Sequence, residues 1–130
     1  MYMLFPAING ENFMTKKPET DNKPGHELHV LTEKSRADLS PRDVVTLLQE
    51  GNKRFVEGRG IDWDYRHEQE DSVSAQYPAA IVLGCIDSRA PAEIIFNLRI
   101  GDIFNARVAG NDINDDITGS MEYACKVAGS

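Results

Sequence analysis

Three residues that can do chemistry stand close together in GCIDSRAPAEIIF, residues 84–96: the thiol of Cys85, the carboxylate of Asp87 and the guanidinium of Arg89. They follow directly on the apolar run AAIVLG, residues 79–84, bounded by Pro78 and Gly84. Such a run reads as a strand covered on both faces, as in parallel sheets. The carboxyl end of such a strand is where α/β proteins place their ligands. If the chain stays extended, alternation puts Cys85 and Asp87 on one side, so a soft sulfur and a hard oxygen could face one cation, and zinc accepts both. Arg89 can hold the Asp87 carboxylate in its planar fork and compete with a metal for those oxygens. A second reading stays open on spacing alone. In it Cys85 is a small apolar core residue, Asp87-Ser88 caps the next helix, and Arg89 makes a surface ion pair. A zinc site also needs three or four ligands, and this motif supplies at most two.

The elements that would position these residues follow from pattern. In LSPRDVVTLLQEGNKRFVEGRG, Ser40 is a good N-cap, Pro41 suits the first helical position and Asp43 favours the first turn. Val44, Leu47, Leu48 and Phe55 then share one face, and Gly58 offers a stop. IDWDYRHEQEDSVSAQYP is polar and aperiodic and reads as a connecting loop with room for a helical turn. After the Cys-Asp-Arg segment, APAEIIFNL reads as a short helix with Ile94, Ile95 and Leu98 inward. GDIFNARVAGN reads as a turn, a second strand and a loop. DITGSMEYACKVAG spaces Ile117, Met121, Ala124 and Ala128 as a helix with Gly129 as C-cap. Residues 1–38 mix prolines, glycines and charges without period and are expected to form a flexible arm, with residues 39–130 as the folded part.

The predicted class is α/β, with a mostly parallel sheet, flanking helices and an N-terminal arm plus helix. Two parallel strands cannot make a sheet buried on both faces. The fold is therefore expected to be incomplete in this chain, as the N-terminal part of a longer domain or one that leans on another chain. The 130 residues suffice for one domain, and 41% apolar content supports a core. Twenty-one acidic against fourteen basic residues leave a formal charge of −7, which argues against nucleic acid or an anionic membrane as partner. No stretch approaches the roughly 18 apolar residues of a membrane helix, and the N-terminus does not read as a signal peptide. A cytoplasmic protein with Cys85 and Cys125 reduced is expected. His26 and His29 have a metal-like spacing, but Pro24 and Gly25 argue against the helix they would need, and His67 lies in the acidic DYRHEQED.

CIDSR at 85–89 resembles the C-x-D-S-R signature of β-class carbonic anhydrases. LLQEGNKRFVEG upstream, then AEIIFNLRIGDIFNARVAGN and GSMEYA downstream, are similar to further blocks of that family in its order, over about residues 40–129. The resemblance implies a zinc enzyme that hydrates CO2 to bicarbonate, as a homodimer or larger homo-oligomer whose N-terminal helix reaches over a neighbouring subunit. It implies Zn2+ held by two cysteines and one histidine, the first cysteine falling on Cys85. The other two ligands belong to an H-x-x-C segment, which this sequence does not contain. Cys125, in EYACK, falls where the family has an ordinary helical residue and is expected in the core. Asp87 and Arg89 match the family's Asp-Arg dyad, in which the aspartate either bonds the arginine or swings onto the metal. Gln76 matches a glutamine that hydrogen-bonds CO2 or bicarbonate, and Phe104, Ala109 and Tyr123 match positions lining the narrow apolar pocket, partly across a subunit interface. Solvated-loop and plain-core roles stay open for these four.

With two of three expected protein ligands absent, the chain by itself is expected to be inactive. The alternative is a non-catalytic remnant or a partner packing on an intact homologue. A cysteine redox module is disfavoured by the lack of C-x-x-C.

Overall fold

The computed structural model describes residues 30–130. The element order is α1 (Glu33–Ala37), α2 (Pro41–Val56), α3 (Tyr65–Asp71), β1 (Ala80–Gly84), α4 (Ala92–Ile95), β2 (Ile103–Arg107), a 3-10 turn (Ala109–Asn111) and α5 (Asp115–Lys126). This is an α/β arrangement with a parallel sheet, as the pattern predicted. The His26/His29 pair and most of the expected arm lie outside the described residues.

Both N-terminal helices start on reciprocal caps. In α1 the Thr32 hydroxyl accepts from the Ser35 amide and the Ser35 hydroxyl from the Thr32 amide. This one-turn helix falls where sequence pattern gave only arm, because its signal is polar capping and not apolar period. In α2, Asp43 N–H donates to Ser40 Oγ at 3.3 Å and Ser40 N–H to Asp43 Oδ2 at 2.8 Å. The helix ends as expected: Gly58 follows the C-cap Glu57 with φ of 66°. Leu47 and Leu48 pack inward, whereas Phe55, expected on that face, is 37% exposed.

The stretch read as a loop contains α3, which Asp64 caps by accepting the His67 amide. Apolar period could not reveal it, since its one buried residue is Glu68. Glu68 accepts the Ile100 amide at 3.0 Å, tying α3 to the segment ahead of β2. There Asp102 accepts the Arg99 amide at 3.0 Å, and the Arg99 guanidinium lies over the Trp63 ring. Burial pushes both the Glu68 and the Asp102 carboxyls above the usual range.

β1 and β2 pair in parallel, Ala80 opposite Ile103 through Gly84 opposite Arg107. Ala80, Val82 and Ile103 pack with Leu47, Leu48, Phe96, Ala92 and Leu98 toward α2 and α4, while Ile81 and Phe104 line the other side with Ile117 and Tyr123 of α5. All five residues of β1 are half-buried, not covered on both faces.

α4 is a single turn. Asn97 takes a left-handed φ of 46° just past its end; Ile94 faces outward at 53% exposure, while Ile95 and Leu98 are buried. The expected inward role holds for the latter two and fails for Ile94. α5 is capped by Asn114, buries Ile117 and Ala124, and ends at Lys126, so Ala128 lies beyond it. Gly129, with φ of 74°, stands two residues past the C-cap Val127.

Candidate functional site

The site is built where β1 leaves the sheet. Backbone pairing runs one step past the strands, with Val108 N–H donating to Gly84 O at 3.1 Å. Beyond it the chain turns out through Cys85, Ile86 and Asp87 and re-enters regular structure at α4.

Cys85 is half-buried, and its Sγ accepts the Gly110 N–H at 3.3 Å. Gly110, at φ of 73°, sits in the 3-10 turn after β2, so the parallel pairing brings the turn to the thiol. That N–H, and after it the Asp87 N–H, hold the Cys85 thiol below its ordinary value, because both stabilise the thiolate.

Asp87 is engaged by Arg89 through both oxygens. Arg89 Nε donates to Oδ1 at 3.0 Å and Nη2 to Oδ2 at 2.7 Å, and the Arg89 backbone N–H adds a third bond to Oδ1 at 2.9 Å. The guanidinium hydrogen bonds, first among the causes, hold the Asp87 carboxyl well below the usual carboxylate range. The pair is a two-pronged clamp on Asp87 and a surface ion pair at once, since the Arg89 side chain is solvent-exposed.

A residue that motif reading did not single out completes the arrangement. Arg107, at the end of β2, donates from Nε to Cys85 O at 2.9 Å and from Nη2 to Asp87 O at 2.6 Å. The available signal was the strand register, which sets Arg107 opposite Gly84.

Of the remaining expected site residues, Ala109 adjoins the thiol through the turn it shares with Gly110, and the others lie elsewhere. Ala109 is exposed in the turn beside Gly110. Phe104 and Tyr123 meet edge to face, with centroids 6.4 Å apart, and line a groove of about 700 Å³ against α5. Gln76 is exposed four residues ahead of β1, in a separate groove of about 540 Å³ with Glu93, Ile100 and Ile103. A strand of this length spans roughly 17 Å, so Gln76 and Cys85 belong to opposite ends of β1. Cys125, expected in the core, is exposed on α5. His67 is exposed on α3, its Nε2 3.6 Å from Asp71 Oδ2.

The thiol and carboxylate are chemically suited to zinc, but the donor set of the described residues does not fit a complete site. Among the described residues no three His, Cys, Asp or Glu side chains come together in a way that could hold a metal ion. Asp87 in this conformation also gives both oxygens to Arg89.

Residues 80–130 match the family model described as carbonic anhydrase. A carbonic anhydrase of Mycolicibacterium smegmatis is 44% identical over 81 residues, covering 62% of this chain and 39% of the relative. Carbonic anhydrase 2 of Mycobacterium tuberculosis matches with the same identity and coverage. The chain thus spans about two fifths of the length of the curated relatives it matches. Among solved structures, the β-carbonic anhydrase CcaA is 31% identical, with 65% of this chain and 40% of that one covered and a TM-score of 0.46.

Proposed function

Because this chain belongs to the β-carbonic anhydrase family, we propose that it serves the reversible, zinc-dependent hydration of CO2 to bicarbonate, contributing Cys85, Asp87 and Arg89 to a site completed by donors from outside the described residues. The observation that carries this reading is the pairing of a thiol that accepts a backbone N–H with a neighbouring carboxylate held by a bidentate arginine. Zinc, when bound, supplies a Lewis acid that turns water into a nucleophile. This chain's own residues would act around it. Cys85 offers an anionic sulfur, Arg89 keeps Asp87 turned away, and Asp87, if released, could occupy a coordination position itself. Gln76, Phe104, Ala109 and Tyr123 belong to the same proposal as substrate-side residues. Since Gln76 lies at the far end of β1, its part would need a neighbouring subunit or another segment to bring it to the thiol. A cytoplasmic homodimer or larger homo-oligomer is the expected setting. Among the described residues no helix is long and apolar enough to cross a membrane.

A second reading, a non-catalytic partner packing on an intact homologue, is favoured by the incomplete donor set. The two are separated by a chimera in which these residues replace the matching part of the Mycolicibacterium smegmatis relative. Stopped-flow CO2 hydration and metal analysis are expected to find zinc and activity, both lost on Cys85→Ser. A folded, zinc-loaded but inactive chimera would overturn the catalytic reading. The 130-residue chain alone is expected to bind zinc weakly and to leave hydration at the buffer rate. One tightly held zinc per chain, with activity abolished by Cys85→Ser, would overturn the incompleteness.

A further inference from the structure

The Cys85–Arg89 loop rests on a second arginine with a different task from Arg89. Inside the sheet, carbonyls of β1 find their donors on the backbone of β2, and the last such bond is Val108 N–H to Gly84 O. The chain then departs, and the next carbonyls would lose the ladder. Arg107 takes it over with its side chain, Nε to Cys85 O at 2.9 Å and Nη2 to Asp87 O at 2.6 Å. The Asp87 carbonyl also accepts the Ala90 N–H at 3.1 Å, which closes the turn into α4.

We propose that Arg107 is a positioning residue: its planar fork fixes the backbone at both ends of the Cys85–Asp87 step, so that Sγ meets Gly110 N–H and the Asp87 carboxylate meets Arg89. Only a guanidinium suits this, because two carbonyls two residues apart must be met by two donors in fixed relation, and a lysine ammonium is a single point. Arg107 is half-buried at the strand end, whereas Arg89 stands in solvent, so the inner arginine holds the frame and the outer one holds the carboxylate. The functional weight of this inference rests on the proposed carbonic anhydrase reading, but its geometry does not.

The test is two-dimensional 1H–15N NMR with hydrogen exchange on the whole 130-residue chain, without added metal, for Arg107→Gln and Arg107→Lys. In Arg107→Gln the amides of Gly110 and Arg89 should shift, and protection of the Arg89 amide should fall about tenfold, the effect of losing roughly one hydrogen bond. Amides of Leu98 and Ala124, remote from the loop, should stay in place. Arg107→Lys, which keeps the charge but not the fork, should show the same loosened loop. Unmoved Gly110 and Arg89 resonances in a folded Arg107→Gln chain would overturn the proposal. So would an Arg107→Lys spectrum identical to the wild type, because charge alone would then suffice. If Arg107→Gln loses all dispersion, Arg107→Lys decides: a folded chain with a loosened loop supports positioning, and global unfolding of both makes Arg107 a general stability residue and overturns it. A chain that passes these tests while the chimera hydrates no CO2 would sink the functional reading and leave the positioning role standing.

Discussion

Gly51 sits in the middle of α2, where helix propensity alone favours alanine by about 1 kcal/mol, yet Gly51→Ala is expected to destabilise the protein. A Cβ at this position would stand 1.7 Å from the Phe96 carbonyl oxygen and 2.8 Å from its carbon. Ordinary contact needs more than 3 Å, so α2 and the end of α4 must separate by well over an ångström. The obstacle is backbone and has no rotamer to turn aside. Overpacking of this kind costs about 1–3 kcal/mol. The same separation stretches the Asn52 Nδ2 bond to Ile95 O, 3.1 Å, and the Arg54 Nε bond to Asn97 Oδ1, 3.0 Å, each contributing about 1 kcal/mol. Set against the propensity gain, a net loss of about 2–4 kcal/mol follows. Urea unfolding followed by circular dichroism measures it, with Gly119→Ala as the matched control. Gly119 is also helical, but its Cβ would meet nothing within 4 Å, so that variant should gain up to about 1 kcal/mol. If both alanine variants gain stability alike, the close approach of α2 to Phe96 does not govern this helix pair.

Asn97→Ala should cost about 2–4 kcal/mol in the same assay. It removes the side chain that accepts from Ile61 N–H and Arg54 and donates to Ile61 O, and it leaves a non-glycine residue at φ of 46°. Asn97→Gly should recover about 1 kcal/mol of that loss, and equal instability of the two would argue against backbone strain here. Glu68 binds its proton more tightly when folded than unfolded. Its protonation therefore adds stability at low pH, and that contribution is lost as pH rises from the ordinary carboxyl range through the raised folded value. The stability of the wild type minus that of Glu68→Gln should accordingly grow as pH falls from neutral into that window, and a pH-independent difference would contradict it. Arg89→Lys should bring the Asp87 carboxyl back up toward the usual range in a carbon-detected NMR titration, since an ammonium cannot reproduce the two-pronged contact. An unmoved Asp87 titration would point to another cause for its depression.

The parts legible in the sequence are those written in apolar period and capping. The Ser40–Asp43 box, the inward Leu47 and Leu48 and the run behind β1 announce α2 and the strand, and the Cys-x-Asp-x-Arg spacing announces the clamp. What escaped was written in polar contacts between distant segments. Helix α3 is held by a buried carboxylate on the Ile100 amide, which no periodicity analysis treats as inward. Helix α4 ends at Ile95, and the left-handed Asn97 beyond it is held by Ile61 and Arg54, far from it in the chain. Cys125, expected in the core from its place in the EYACK helix, faces solvent on α5. Arg107 could not be assigned to the loop before the strands were known to pair in parallel with Gly84 opposite it.

The pairing of β1 with β2 joins residues that are far apart in the chain, and non-local pairing of this kind is slow to form. Helices α2 and α5, capped by their own neighbours, need no such partner to begin. Until the two strands meet, Gly110 has no route to Cys85, and the thiol keeps the reactivity of a thiol in an unfolded peptide. A slip of one residue would also turn Arg107 to the opposite face and leave the thiol unattended. Cys85 is thus a built-in timer of folding, and the moment its alkylation rate departs from that of Cys125 dates the closure of the sheet.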